Sequence, residues 1–425
     1  MLKQIEVKGI GSIPIDTLLL FLSLFSFFIP TRGSIFGIAS DRLLIVPCLI
    51  FIFIFHKRNI RIPIFYWIYL FLMIVCMIYH FSDRNMYTHF IEIIQIIGLT
   101  YMTVVVVRQE RDLNQILDFL TITFSIYSIF GIIESVFKWN IFDTLSNTKV
   151  VYENANEIRF GLARARGACD ISITNGMLLS MIVCLIAYRG INTKKRRYLI
   201  PFFIVLINCF LTLSRSIWIE VSLSLLLIFL SLSTYKQILN IIRIIFSAVI
   251  LLFFANFAMP QVIQNLGKVF YSMFDSIISV ISGTNSSDMQ GAGDRFRLWN
   301  WVWISVKDSA TWGKGYTANF SYPAPEGYIK KSIEVMWLYE LFHIGLVGLA
   351  SYIFLQISSL LYLLKNFFLK KRNEIFSFNL LLLIISIAYI IAQFSCFASE
   401  DLRFYYFLLG LGFAYNNLPN NFTKA

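Results

Sequence analysis

The sequence predicts an all-α polytopic membrane protein of about twelve transmembrane helices with two long extracytoplasmic loops. Three observations predict it. Of the 425 residues, 58% are hydrophobic and only 14% charged, against about 25% charged in a soluble domain. Apolar runs of roughly 18 residues recur between short charged loops, which suits helices, since barrel strands would alternate instead. Lys and Arg are divided unevenly between alternate loops, as the positive-inside rule requires. That rule also accounts for the net charge of +12, so no nucleic-acid partner is expected.

The first two spans cover 13–30 and 43–55, and the basic loop His56-Lys57-Arg58-Asn59-Ile60-Arg61 follows. The first lacks a small-residue cleavage site and leads into further spans, which marks a retained helix and not a signal peptide. Spans at 62–81 and 90–107 enclose Ser82-Asp83-Arg84-Asn85, and Arg108-Gln109-Glu110-Arg111-Asp112 closes the fourth. The fifth, 116–137, opens into the first long loop, 138–175. The sixth, 176–188, ends at Lys194-Lys195-Arg196-Arg197, and 198–213 and 217–233 pinch Ser214-Arg215-Ser216 between them. After 244–258 comes the second long loop, 260–333. The last three spans are 336–362, closed by Lys370-Lys371-Arg372, then 376–397 and 404–416.

With both termini cytoplasmic, inner loops and tails hold 19 Lys or Arg, the short outer loops 5 and the two long outer loops 12. Long loops are discounted by the rule, so this orientation is the consistent one. It puts both long loops and the Ser214-Arg215 turn on one outer face. The chain then reads as one membrane domain over 1–425. Cys48, Cys76, Cys184, Cys209 and Cys396 fall in apolar runs, where Cys is a small hydrophobe. Cys169 alone lies in a polar loop, and no CxxC or His–Cys cluster exists. Neither a structural disulfide nor a metal site is expected.

The polar stretch from Asp294 to Gly348 is the place to look for chemistry in so apolar a chain. Three arginine groups fall on the predicted outer face: Arg164 and Arg166 before Gly167, Arg215 at a near-helical hairpin tip, and Arg295 with Arg297 in Arg-Phe-Arg-Leu-Trp. Guanidinium groups grip phosphate oxygens bidentately and stay charged at working pH, which suits a lipid diphosphate. The plainer reading, arginines resting on lipid headgroups, weighs most for Arg159, Arg164 and Lys330. It weighs least for Arg215, because a charge between two apolar spans is costly unless paired or used.

Glu334, where Ser332-Ile333 turns apolar, reads as the group that takes a proton from an attacking hydroxyl. A carboxylate there also suits a helix N-terminus as a dipole partner. His343 is nine residues further on, about 180° away on a single helix, and reads as a packing residue within the span. His80 and His89 read as interfacial. Trp299, Trp301, Trp303, Trp312, Tyr316 and Tyr322 are divided between stacking on sugars and belonging to the interfacial belt.

In order, Arg166-Gly167, Leu211-Thr212-Leu213-Ser214-Arg215, Arg295 four residues before Trp299, Gly313-Lys314-Gly315, and a polar residue eleven before Gly345-Leu346-Val347-Gly348 resemble the O-antigen ligase and polymerase superfamily (Wzy/WaaL type). The resemblance covers about 160–350. Two departures stand out. Ligases of that family carry His-Asn where this chain has Glu334-Val335, which favours a polymerase. The Arg-x10-Gly pattern of some polymerase loops is also missing, since Met177 stands eleven residues after Arg166.

The resemblance implies a polysaccharide polymerase (O-antigen, capsule or exopolysaccharide) of the bacterial cytoplasmic membrane, working on the extracytoplasmic face. It would transfer undecaprenyl-diphosphate-linked glycan to the terminal sugar of a lipid-linked repeat unit, with inversion and without metal or cofactor. Glu334, Arg215 and Arg295 would be catalytic; Arg164, Arg166, Arg297, Trp299 and Tyr316 would bind substrate. Membrane lipids surround the chain, and a chain-length regulator and a flippase would share its pathway. Three rivals remain. An O-antigen ligase is one. A lipid-phosphate-sugar transferase needs paired acids in the first outer loop, where Thr31 to Arg42 offers only Asp41. A flippase or transporter needs broken helices or mid-membrane charges, and most spans here are uninterrupted.

Overall fold

A computed structural model describes the chain except for residues 1–4, 8–10, 30–33, 36–37, 56–60, 84–85, 147–157, 160, 170, 233–291, 324–328, 332, 334, 370–373, 395–398 and 420–425. The ninth expected span, most of the second long loop's first half, Cys396 and Glu334 therefore lie outside the described residues. What is described is nearly all helix. The helices are α1 (Ile15–Leu24), α2 (Ser40–Phe55), α3 (Ile64–Tyr79), α4 (Met86–Val106), α5 (Glu110–Phe137), α6 (Ile141–Ser146) and α7 (Ser172–Thr193). After them come α8 (Leu199–Leu211), α9 (Arg215–Leu232), α10 (Ala292–Val306), α11 (Met336–Leu369), α12 (Phe378–Gln393) and α13 (Ser399–Asn417).

Four of these, α5, α7, α9 and α11, are long and apolar enough to cross a membrane by length and composition, and several shorter apolar helices accompany them. This is an all-α membrane protein. Exposed Phe71, Ile74 and Ile78 on α3, and Ile122, Ile126 and Ile129 on α5, form apolar faces suited to lipid. The central element is α7, whose apolar window is 83% buried. Around it α5 packs on α8, α12 on α9 and α11, and α13 on α4.

The helix ends follow from local chemistry. Gln109 and Asp112 form a capping box at the start of α5, the Asp112 carboxylate accepting from the Gln109 backbone N–H at 2.9 Å. Lys138 and Lys194 end α5 and α7 in the left-handed region, at φ 54 each. Near the end of α7, Arg189 makes two 3.0 Å bonds to the Asp118 carboxylate of α5, a bidentate strap.

The long loops carry structure of their own. The first contains α6 and a hairpin in which β5 (Ile158–Arg159) pairs antiparallel with β6 (Leu162–Ala163). The second contains α10 and a hairpin of β7 (Tyr322–Pro323) with β8 (Ile329–Lys330). Two further hairpins, β1 (Ile5–Val7) with β2 (Gly11–Ile13) and β3 (Ser34–Ile35) with β4 (Ile38–Ala39), flank α1.

One helix differs from its sequence-based reading. Apolar residues run without interruption through Ile344-Gly345-Leu346, so a continuous span is expected there. Instead α11 breaks at Gly345 (φ 68, ψ −162) into a short arm, 336–344, and a long arm, 346–369. Trp337 on the short arm and Tyr352 on the long arm bring their rings to 5.8 Å. Fifteen residues of straight helix would separate them by about 22 Å along the axis. The two arms therefore fold toward each other as a V with Gly345 at its apex.

Candidate functional site

Two assemblies hold the motif residues. The first is built on the turn between α8 and α9. Leu213 stands at φ 50, a conformation that non-glycine residues adopt at a cost, so the turn needs outside support. The first long loop supplies it. The Ala165 N–H donates to the Leu211 carbonyl at 2.9 Å, Arg164 Nε to the Thr212 carbonyl at 3.1 Å, and Arg159 Nη1 to the Leu213 carbonyl at 2.9 Å. These are the carbonyls left over at a helix C-terminus, where cationic donors also complement the dipole. Arg159 and Arg164 are thus bonded to the protein backbone. Arg215 opens the first turn of α9 immediately afterwards, half-buried.

Arg166 is 2% exposed. Its Nε lies 3.6 Å from Glu134 Oε1, and its Nη2 is ion-paired with Asp143. Glu134, itself buried, accepts from the backbone N–H groups of Arg166 (3.1 Å) and Gly167 (2.9 Å) and from Asn140 Nδ2 (2.9 Å). Tyr127 Oη accepts from the Ala168 N–H at 3.0 Å and donates to Asn175 Oδ1 at 2.9 Å. Arg166, expected from the sequence to grip a phosphate, here pins the first loop to Glu134 of α5 and Asp143 of α6. Two protein carboxylates offset its charge, which leaves little of it for an outside anion.

The second assembly closes the break in α11. Gly313 and Gly315 stand at φ 75 and 80. Lys314 N–H donates to the Phe342 carbonyl and Gly315 N–H to the His343 carbonyl, each at 2.9 Å. In the other direction, Leu346 N–H donates to the Ala310 carbonyl at 2.8 Å and Val347 N–H to that of Thr311 at 3.2 Å. Four of the backbone groups beside the break are thus satisfied by one loop, 310–315. A Cβ on Gly313 would come within 2.6 Å of Gly345 N and His343 O, so glycine meets glycine here. The Gly-Lys-Gly and Gly-Leu-Val-Gly motifs are two sides of one clasp.

The clasp is also held from α3. His80 Nε2 lies 2.6 Å from the Trp312 carbonyl, which can only accept, so that nitrogen carries the proton. The Thr317 N–H donates to Asp83 Oδ2 at 2.7 Å, and the Tyr79 and Trp312 rings stack at 4.7 Å. His343 Nδ1 donates to the Gly315 carbonyl at 2.8 Å, and its ring stacks on Tyr316 at 5.6 Å. The packing reading of His343 fits these contacts. Tyr316, expected to stack on a sugar, is 9% exposed and stacks on this histidine. Burial, then the nearby Glu340 carboxylate, push the Tyr316 phenol well above its ordinary range.

Arg295 lies in the first turn of α10, with Arg297 exposed and Trp299 half-buried behind it. The buried face of α10, Leu298, Val302 and Val306, packs with Leu338, Leu341 and Phe342 of the short arm. Trp301 Nε1 donates to the Ser321 carbonyl at 2.8 Å and its ring meets Tyr322 at 6.0 Å. Thus α10 and the short arm share one apolar cluster.

Residues 200–353 match the O-antigen ligase family model, Wzy_C. That stretch is similar to the O-antigen ligase family, in agreement with the superfamily resemblance of the motifs. The matched stretch runs from α8 through the Arg215 turn, α10 and the glycine clasp to the upper part of the long arm. The Glu134–Arg166 pin and the α3 contacts of the clasp lie before it. Among curated proteins the chain has no match.

Sequence reasoning missed Glu134, Asp83 and Glu340. Glu340 carried a readable signal, a carboxylate inside an apolar run. Glu134 carried the same signal, since it stands inside the expected 116–137 span, and Asp83 carried none, because its partner Thr317 is far away in the chain.

Proposed function

We propose that this protein is a polysaccharide polymerase of the bacterial cytoplasmic membrane with its site on the extracytoplasmic face. It transfers undecaprenyl-diphosphate-linked glycan to the terminal sugar of a lipid-linked repeat unit. The observation that carries this reading is the 200–353 match, which encloses Arg215, Arg295, Glu334 and both glycine motifs. The acceptor hydroxyl gives its proton to Glu334 as its oxygen attacks the anomeric carbon. The bond from that carbon to the diphosphate oxygen breaks on the opposite side, so configuration inverts. Arg215 and Arg295 neutralise the charge that gathers on the departing diphosphate, with the exposed Arg297 beside them. A diphosphate is already a good leaving group, so positioning and charge neutralisation do most of the work.

Glu334 in place of the ligase His-Asn pair supports polymerase over ligase. The break in α11 is a feature that transporters also use, but here the 310–315 loop bonds the Phe342 and His343 carbonyls and the Leu346 and Val347 N–H groups beside it, so the break alone does not favour a transporter. The test is reconstitution in liposomes with a labelled lipid-linked repeat unit. Elongation is expected; transfer to a lipid A core would make it a ligase, and movement without elongation a flippase.

A further inference from the structure

Three successive backbone carbonyls lead from the end of α8 toward Arg215, and the first long loop bonds every one. The Ala165 N–H donates to the Leu211 carbonyl, Arg164 Nε to the Thr212 carbonyl at 3.1 Å, and Arg159 Nη1 to the Leu213 carbonyl at 2.9 Å. Just before them, the Phe210 carbonyl accepts from Trp218 Nε1 of α9 at 3.0 Å. The loop is fixed in its turn. Ser135 Oγ of α5 donates to the Ala163 carbonyl at 2.7 Å, and Asn175 Nδ2 of α7 donates to the Ala165 carbonyl at 3.1 Å. Arg164 thus stands between two residues whose carbonyls are held by membrane helices, with the Arg166 pin next in line.

We propose that Arg159 and Arg164 are positioning residues for Arg215, and that the first long loop aims the Arg215 guanidinium at the departing diphosphate through the α8–α9 turn. This rests on the polymerase reading above. Leu213 stands two residues before Arg215 at φ 50, a conformation with a cost for any residue that bears a side chain. Without its outside donors the turn relaxes toward ordinary backbone angles and re-aims whatever follows it. Arg215 follows it directly, as the first residue of α9. Misplacing a reacting group by about 1 Å can cost about 10²-fold in rate. A guanidinium is sensitive to direction as well as distance, because its two parallel N–H groups must meet two oxygens.

The kind of bond separates this role from phosphate binding. Each arginine reaches its carbonyl with a single N–H, and an ammonium also supplies single N–H donors. A grip on phosphate oxygens needs the planar pair of N–H groups, which lysine lacks. Lysine should therefore serve at 159 and 164 and fail at 215. Both arginines also lie at the carbonyl end of α8, where a cation is favourable for stability alone. A role confined to stability shows in the amount of folded protein and leaves the rate per folded molecule unchanged.

The test measures elongation in liposomes by full-length protein at equal folded amount. Lipid-linked repeat unit extracted from cells lacking this protein is the varied substrate. Arg159→Ala and Arg164→Ala are each expected to lower kcat about 10–10²-fold, with KM changed less than about threefold. Arg159→Lys and Arg164→Lys are expected to recover most of that loss, while Arg215→Lys stays impaired. Wild-type kcat in either alanine variant overturns the assignment for that residue. A raised KM with kcat kept overturns it too, since the arginine would then be a ligand of the substrate. Lysine variants as poor as the alanine ones also count against it. If one alanine variant does not accumulate, the other is read by the same constants, and failure of both to fold makes the pair structural and overturns the proposal. Absence of elongation by the wild-type protein sinks the polymerase reading and this one together, whereas an active wild type with indifferent Arg159→Ala and Arg164→Ala sinks this one alone.

Discussion

Gly313→Ala should be among the most damaging single-methyl additions in this protein, and the structure gives its size. At φ 75 an L-residue pays about 1–2 kcal/mol for the left-handed conformation. The new Cβ would also stand 2.6 Å from Gly345 N and from the carbonyl carbon and oxygen of His343. All three are backbone atoms, so no side chain can swing aside. Relief must come by opening the clasp, whose Lys314 and Gly315 N–H bonds are each worth roughly 0.5–1.5 kcal/mol. The total is about 2–5 kcal/mol. Gly161→Ala supplies the control. Its φ is 81, yet nothing lies within 4 Å of its Cβ, so only the strain of about 1–2 kcal/mol remains. Both full-length variants would be heated in detergent and the folded fraction read by fluorescence size exclusion. Gly161→Ala should melt close to wild type and Gly313→Ala several degrees lower. Equal melting of the two would refute the clasp as a close-packed, strain-bearing contact.

Other expectations follow from the same geometry. Glu134→Ala leaves the buried Arg166 with Asp143 as its remaining carboxylate and strands two loop N–H groups, each worth about 1–3 kcal/mol when left unpaired, which should be seen as lost membrane abundance and faster proteolysis of the first loop. Arg215→Lys keeps the charge but not the planar two-point grip, and polymer formation at equal abundance should fall about 10²–10³-fold; normal polymer would remove Arg215 from the phosphate clamp. Glu334→Gln should lose about 10²–10⁴-fold if the carboxylate accepts the proton, while normal chain amount and length would make it a helix-end residue. Cysteines introduced as Asn147→Cys and Ser286→Cys should react with an impermeant maleimide in spheroplasts and Lys195→Cys should not, and the reverse pattern would invert the topology.

Much of this fold can be read along the chain because hydrocarbon demands it. Apolar runs had to become helices, and the described ones did, although α5 begins six residues before its expected span and α11 ends seven residues after its own and breaks at Gly345. The glycine motifs and the Arg215 turn were visible because their composition is odd for such a chain. What could not be read was pairing at a distance. Nothing near Arg166 reveals that Glu134 and Asp143 will claim it, so a guanidinium that looked ready for phosphate became a buried pin. Nothing near Gly345 reveals a break, because its neighbours Ile344 and Leu346 belong to an ordinary span. The break exists only because a loop thirty residues earlier supplies the hydrogen bonds.

The break in α11 bears on how the protein is made. The long arm, 346–369, is about 36 Å long at 1.5 Å per residue, enough to cross a bilayer core of about 30 Å without help. The short arm is not needed for that crossing. During synthesis the clasp loop and the short arm leave the ribosome first, before the Leu346 and Val347 N–H groups that complete the clasp exist. Insertion of the long arm and closure of the clasp are thus separate events in time. A nascent chain stalled just after Gly345 would hold the short arm with nothing on its far side to bond. The final shape of this site is set after the membrane has accepted the helix, and variants that spoil the clasp should insert normally and fail later, at assembly.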